Sequence, residues 1–405
     1  MANNDFTIKD GILKKYVGSD TTVEIPEGII AIDSFAFENK DIITVTIPDS
    51  VTCIGAFAFS SCKKLKSINF SKNLAKIGSY AFENCQKLKT ITIPDSTTIE
   101  DGAFLKCRSL ADKNGFVIIR NVLYGYYGKE TCVTIPNDVT HISCEAFRGK
   151  SKLISVKIPE SAVYIGDSAF EKCKNLQSVE LTDNIKYLGA WSFKECESLK
   201  SINIPSGITS IENQTFYGCD SLTTMNIPSN IESLGEYSFF ACKSLASINL
   251  PDSVTSVGAN SFRCCDSLVD ENGFIIINNA LYAYLGKEKD IIIPDGITKI
   301  GAGAFTCNFK LNSVVIPNSV EVICHSAFSM CIKLINVTIP DSVTAIGDDA
   351  FSNCAFLDEL HIPASVKHIG RDIFSYTYLR STICAPKDSY AEQYARENDI
   401  PFVAE

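Results

Sequence analysis

Cysteine is the residue type in this chain with the widest chemical reach, and its spacing is regular. Of 17 cysteines among 405 residues, Cys62, Cys85, Cys107, Cys173, Cys196, Cys219, Cys242, Cys265, Cys331 and Cys354 each follow a phenylalanine by three positions. Thiolates ligate soft metals, exchange disulfides and attack carbonyls, but each role needs partners at a set spacing. No Cys-x-x-Cys pair occurs, and His141, His325, His361 and His368 join no cysteines in a zinc-ligand pattern. A thiol recurring at one place is a compact hydrophobe in a buried slot. Free thiols are therefore expected, although rungs about 4.8 Å apart would put a bridge within reach.

Other chemistry is sparse. His361 and His368 are close in sequence but have no nucleophile pattern beside them, and there is no phosphate-binding glycine loop, paired-carboxylate signature or His-Glu-x-x-His. Asp49, Glu160, Asp252 and Asp341 each follow a proline and read as solvated turn residues. The expectation is a non-enzyme with no catalytic residues, no cofactor and no metal. A formal charge of -10 excludes nucleic acid and anionic lipid as natural partners. No stretch approaches about 18 apolar residues and the N-terminus lacks a leader's pattern. The chain is thus expected to be without a transmembrane segment, and to be either cytoplasmic or a mature chain that has lost its leader.

Binding chemistry has better candidates. Trp191, the single tryptophan, stands two residues before a repeat phenylalanine, where other laps carry Gly, Ser, Asn, Asp or Glu; that variability implies exposure. Tyr217, Tyr237 and Phe240 follow in register, making an aromatic patch of the type that dominates protein interfaces. Phe35, Phe57 and Tyr80 form a second run. The competing reading is that these rings pack on each other along the outer shell, and Tyr124, Tyr126, Tyr127, Tyr282 and Tyr284 carry the same ambiguity.

These residues are positioned by a repeat of 23 residues, V-x-I-P-x-x-V-x-x-I-G-x-x-A-F-x-x-C-x-x-L, nearly complete from Val337 to Leu357. Alternation at V-x-I makes a short strand, and proline, lacking an N–H, ends it. The second apolar pair makes another short strand, glycine permits a corner, and Ala-Phe forms a helical or 3₁₀ turn on the convex side. One lap encloses no core, so equivalent side chains must stack on neighbouring laps. On the concave face Asn203, Asn226 and Asn249 recur at equivalent positions and form either an amide ladder or a hydrogen-bonding surface.

The fold class expected is a leucine-rich-repeat type of solenoid, with short parallel strands and turns, mostly β and irregular, running as one continuous body over 1–405. Three related segments near 6–22, 116–132 and 274–290 interrupt the period. Each is expected to be a shortened lap; the rival is a hairpin turning at Asp10-Gly11, Arg120-Asn121 and Asn278-Asn279. Residues 386–405 form a C-terminal cap: a helix near Ser389–Asn398 begun by Asp388 or Ser389, with Tyr390, Ala391, Tyr394 and Ala395 on one face, then a strand over Ile400–Val403.

From about residue 23 to 380, the L-x-x-V-x-I-P-x-S-V-x-x-I-G-x-x-A-F-x-x-C series resembles the BspA-like branch of the leucine-rich repeat proteins, as does the Ser-Tyr-Ala-Glu-Gln-Tyr-Ala ending. The resemblance implies a solenoid displayed on or secreted from anaerobic bacteria or parasitic protists and adhering to host or bacterial surface proteins; a monomer is expected. The alternatives are an intracellular interaction scaffold and, more distantly, a carbohydrate-binding or carbohydrate-active protein.

Overall fold

The computed structural model describes residues 5–376 and 381–405. Its contacts divide into two compact units, Met1–Cys196 with Pro205–Gly207, and Glu197–Ile204 with Ile208–Glu405. Both are built from the same lap. In the first unit, strands Thr22–Glu24, Thr44–Thr46 and Ser67–Asn69 pair in parallel with Val23, Val45 and Ile68 in register. Each buries its middle residue and turns its flanking residues outward. The second apolar pair supplies a parallel ladder of its own, Ala31–Ile32, Cys53–Ile54, Lys76–Ile77 and Thr98–Ile99. The second unit repeats both ladders, for example Asp290–Ile292, Ser313–Val315 and Asn336–Thr338.

The third side of the lap is not helical. From Asp33 to Lys40, alternate amides close i→i+3 turns, such as Ala36 N–H to Asp33 O and Lys40 N–H to Phe37 O. The intervening amides donate to the next lap, Phe35 to Ala56 O, Phe37 to Ala58 O and Asn39 to Ser60 O. This double use requires a left-handed residue on each side of the repeat phenylalanine, as in Phe35 (φ 61°) and Asn39 (φ 60°), Phe57 (φ 56°) and Ser61 (φ 59°), and Trp191 (φ 57°) and Glu195 (φ 57°). A left-handed residue in the second central position is what a type II turn demands, and it breaks the run that a helix would need.

Glycine at the end of the second strand has a different reason from the corner expected of it. Gly166 has no positive φ; a Cβ there would lie 2.6 Å from the Cys144 amide nitrogen and 2.9 Å from the Ser143 carbonyl carbon. It is there because the preceding lap's backbone passes too close for any side chain.

Each unit's core contains stacked phenylalanines. Phe37, Phe59, Phe82 and Phe104 stack nearly parallel at 4.7, 5.1 and 5.3 Å between centroids, and Phe305, Phe328 and Phe351 at 4.9 and 5.2 Å. Isolated rings favour offset or edge contacts; the lap spacing of the strands imposes the face-to-face arrangement here. Phe374 is only half-buried.

The three interrupting segments are antiparallel hairpins, not shortened laps: Phe6–Lys9 with Ile12–Tyr16, Phe116–Ile119 with Val122–Tyr126, and Phe274–Ile277 with Ala280–Tyr284. Their two-residue turns have φ positive at both positions, 53° and 72°, 49° and 64°, and 49° and 58°, the type I′ geometry that matches strand twist. The second strand of each hairpin then pairs in parallel with the next lap, which is how the repeat resumes without a gap. The hairpin tyrosines belong to the core. Tyr16, Tyr126 and Tyr284 stand before Phe37, Phe147 and Phe305 at 5.2, 5.5 and 5.8 Å. Tyr124 and Tyr282 close the preceding columns edge-on against Phe104 and Phe262.

Among the described residues the one α-helix is Tyr390–Glu397. Ser389 is its cap, its side chain accepting from the Glu392 amide, while Glu392 reaches back to the Asp388 amide at 2.6 Å. Ala391, Tyr394 and Ala395 are buried, but Tyr390, expected on the same face, is exposed. The final strand, Phe402–Ala404, pairs with Thr382–Ala385.

Candidate functional site

The cysteine ladder contributes hydrogen bonds as well as bulk. The ten repeat cysteines are fully buried. Cys62 Sγ donates to the carbonyl of Phe37 at 3.0 Å, Cys173 to Phe147 at 3.0 Å and Cys354 to Phe328 at 3.2 Å, each reaching back one lap. The sequence identifies the apolar slot but not the donor, because the acceptor lies about 25 residues upstream. Burial pushes these three thiols up to about 12. They stay protonated at physiological pH, so none offers a thiolate for nucleophilic or redox work. All 17 cysteines are unbridged.

The outward positions of the first strand carry the asparagine candidates. Asn203, Asn226 and Asn249 are exposed, all in the second unit. Asn249 Nδ2 donates to Asn226 Oδ1 at 3.2 Å, so at least this pair forms an amide ladder. Lys157 and Glu180 face each other at 3.9 Å on adjacent rungs. Further along, Ile292 and Val315 are register partners pointing into solvent, with Ile292 74% exposed. Two β-branched apolar residues at outward strand positions are a signal that hydrophobic alternation alone assigns to strand formation.

The aromatic candidates fall in both units. Trp191 belongs to the first unit and is 36% exposed. Tyr217, Tyr237 and Phe240 belong to the second and are half-buried. There Phe240 stacks on Tyr217 at 4.8 Å and meets Tyr237 at 5.6 Å. Phe35, Phe57 and Tyr80 stack at 5.1 and 5.0 Å, with Phe35 half exposed. A further column, absent from the sequence-level candidates, is formed by His141, Tyr164 and Tyr187 on successive second strands. Its rings are 5.6 and 4.8 Å apart. Tyr187 is 37% exposed, with its hydroxyl 3.4 Å from Asp167 Oδ1. Burial, with Asp101 adding repulsion, raises the Tyr164 hydroxyl above the ordinary phenol range. The 23-residue spacing of these three rings was the signal that could have found them.

The remaining grouping lies on the last sheet. His361 is one lap before Cys384 and is paired with it across the strands, and Glu359 lies beside both. Stacking thus unites a histidine and a cysteine that the linear pattern keeps apart.

Strand ladders on two sides, a turn ladder on the third and enclosed columns of aromatic rings define a leucine-rich repeat solenoid, a class that as a rule engages proteins and is generally non-enzymatic. The sequence pattern of the BspA type leucine rich repeat region matches residues 11–112, 118–219, 209–287 and 275–399, and the chain belongs to that family. A leucine rich cell surface protein from Faecalibacterium prausnitzii is 24% identical, over 95% of this chain and 88% of that one, with a TM-score of 0.33. A leucine-rich repeat protein from Bacteroides ovatus is 21% identical over 99% and 97% of the two chains, with a TM-score of 0.29. One from Bacteroides capillosus is 37% identical, over 24% of this chain and 81% of that one, with a TM-score of 0.22. No curated protein matches the chain. Among the described residues, no helix is long and apolar enough to cross a membrane.

Proposed function

We propose that the chain is a non-enzymatic adhesion module, secreted or displayed at a cell surface, that presents side-chain columns to a protein ligand. The observation that carries this is the run of outward aromatic rings repeated at lap spacing, His141–Tyr164–Tyr187, with the exposed Trp191 four residues beyond the last of them. Large rings at solvent-facing positions of a rigid scaffold lose little conformational entropy on binding, which suits them to act as interface anchors. Tyr217, Tyr237 and Phe240, with the Asn203, Asn226 and Asn249 row, form the corresponding surface of the second unit. Tyr164 and Tyr187 lie 12° from parallel at 4.8 Å. Their facing surfaces are occupied by each other, which favours edge contacts with a protein over stacking with a sugar. An oxidising exterior is compatible with the ten repeat thiols, which have no exposed surface; Cys132 is exposed.

The test is capture of host and bacterial surface proteins by the purified chain, comparing it with a Tyr187→Ala/Trp191→Ala variant and with Tyr217→Ala/Tyr237→Ala. Loss of capture with an unchanged melting temperature supports the reading. Undiminished capture by both variants, or a fall in melting temperature that accounts for the loss, rejects these rings as anchors.

A further inference from the structure

The sheet formed by Glu359–His361, Thr382–Ala385 and Phe402–Ala404 gathers groups that none of the above uses. Glu359 and His361 are exposed at outward positions of their strand, and Cys384 is the register partner of His361. A Glu359 carboxylate oxygen, a ring nitrogen of His361 and the Cys384 sulfur all lie within 4.8 Å of one another. The two imidazole nitrogens have different partners: Nε2 is 3.8 Å from Glu359 Oε2, and Nδ1 is 2.5 Å from Glu405 Oε1. Among the described residues, His361 is the only ion-pair partner of either glutamate. Two carboxylates and a thiol therefore converge on a single imidazole, and among the described residues no lysine or arginine pairs with either carboxylate.

We propose that Glu359, His361 and Cys384 bind one zinc(II) ion, with Glu405 orienting His361 through Nδ1. Sulfur, imidazole nitrogen and carboxylate oxygen are the donor set zinc selects, at about 2.3, 2.0 and 2.1 Å in a tetrahedron. Those lengths put donors roughly 3.3–3.6 Å apart. The 3.8 Å between Nε2 and Oε2 closes to that range by a small side-chain adjustment, and Glu359 is exposed enough to make it. A carboxylate on the far ring nitrogen fixes the tautomer with Nε2 free to ligate, an arrangement typical of metal-bound histidine. Cys384 is buried, and burial with repulsion from Glu359 and Glu405 holds its thiol above the ordinary range. A divalent cation reverses that balance: the thiol releases its proton to solvent as the sulfur–metal bond forms. The fourth position is left to water or to a donor from a bound partner. The ion would tie the strand Glu359–His361 to Thr382–Ala385 and, through Glu405, to the end of the last strand, fastening the C-terminal cap to the repeat.

The experiment uses the full chain, reduced and stripped of metal by chelator, titrated with zinc(II) and with cobalt(II) as a spectroscopic probe. The expected result is one equivalent bound with a Kd of about 1 µM or tighter. Cobalt should give a sulfur-to-metal charge-transfer band and intense tetrahedral visible bands. Cys384→Ser removes the charge-transfer band, and His361→Ala weakens binding by more than about 100-fold. Glu405→Gln weakens it by about 10- to 100-fold and leaves the charge-transfer band in place, as an orienting residue should. Cys132→Ser, which removes an exposed thiol elsewhere, changes nothing. Should Cys384→Ser fail to fold, His361→Ala and Glu359→Gln decide the matter from the exposed side of the cluster. Absence of stoichiometric binding overturns the proposal. Binding that survives His361→Ala, or that is lost in Cys132→Ser, overturns it equally.

Discussion

Ser168 tests whether the backbone ladder or the side chain selects the left-handed residue before each repeat phenylalanine. Its φ is 56°, its amide donates to Ala190 O at 2.9 Å, and its carbonyl accepts from Glu171 N at 3.0 Å. Both bonds come from the backbone, and the Ser168 hydroxyl forms none, so Ser168→Gly leaves both intact. An L-residue in this region carries about 1–2 kcal/mol of strain, which glycine relieves. Glycine's larger unfolded-state entropy returns about 0.5–1 kcal/mol. The net expectation is a stabilisation of roughly 0.5–1 kcal/mol, read as about 2- to 5-fold slower hydrogen exchange across residues 164–192. Gly102 (φ 68°) and Gly303 (φ 67°) already occupy this position in other laps. Ser168→Val, β-branched, should instead cost about 1–2 kcal/mol. As a control, Ser178→Gly within an ordinary strand should destabilise by about 0.5–1 kcal/mol. If Ser168→Gly lowers protection as much as Ser178→Gly does, the left-handed column is not an intrinsic constraint and the reasoning fails.

Three other expectations concern stability. Gly166→Ala forces a methyl against the Cys144 amide and should cost about 1–3 kcal/mol by denaturant unfolding, whereas a neutral outcome would show that the laps can separate freely. Phe239→Ala removes a ring 5.4 Å from Phe216 and 5.7 Å from Phe262. It should cost about 3–5 kcal/mol, and hydrogen exchange should accelerate in the two flanking laps and little beyond them. The Asp349 carboxyl is raised above its ordinary range by burial first and then by Asp372 and Asp348. A raised acid binds its proton more tightly when folded, so its contribution is fully favourable below the ordinary carboxylate range and is lost as pH rises through the raised value. Asp349→Asn should therefore raise the melting temperature at neutral pH and lose that advantage in acid; an equal gain at both extremes would point to a cause other than charge.

The lap period was legible because each turn of the chain repeats one set of constraints: an apolar residue inward, a proline to end the strand, a phenylalanine for the column. The hairpins were legible only as alternatives. Asp10-Gly11 states a type I′ turn openly, but Arg120-Asn121 does not, and what holds it is Arg120 reaching the Thr97 and Ile93 carbonyls of the preceding lap. Trp191 shows a different limit. The variety of residues at its position suggested exposure, whereas the shared property of those residues is a positive φ imposed by the neighbouring lap.

By itself the sequence determined the period, the inward residues and the family, since these depend on side-chain size and polarity at fixed intervals along one chain. Tertiary structure decided which groups meet between laps: thiol to carbonyl, Cβ-free glycine to backbone, Nδ1 of His361 to Glu405. Those contacts depend on distances of a few ångströms between residues about 20 to 44 positions apart, and only the stacking of one lap on the next sets such distances.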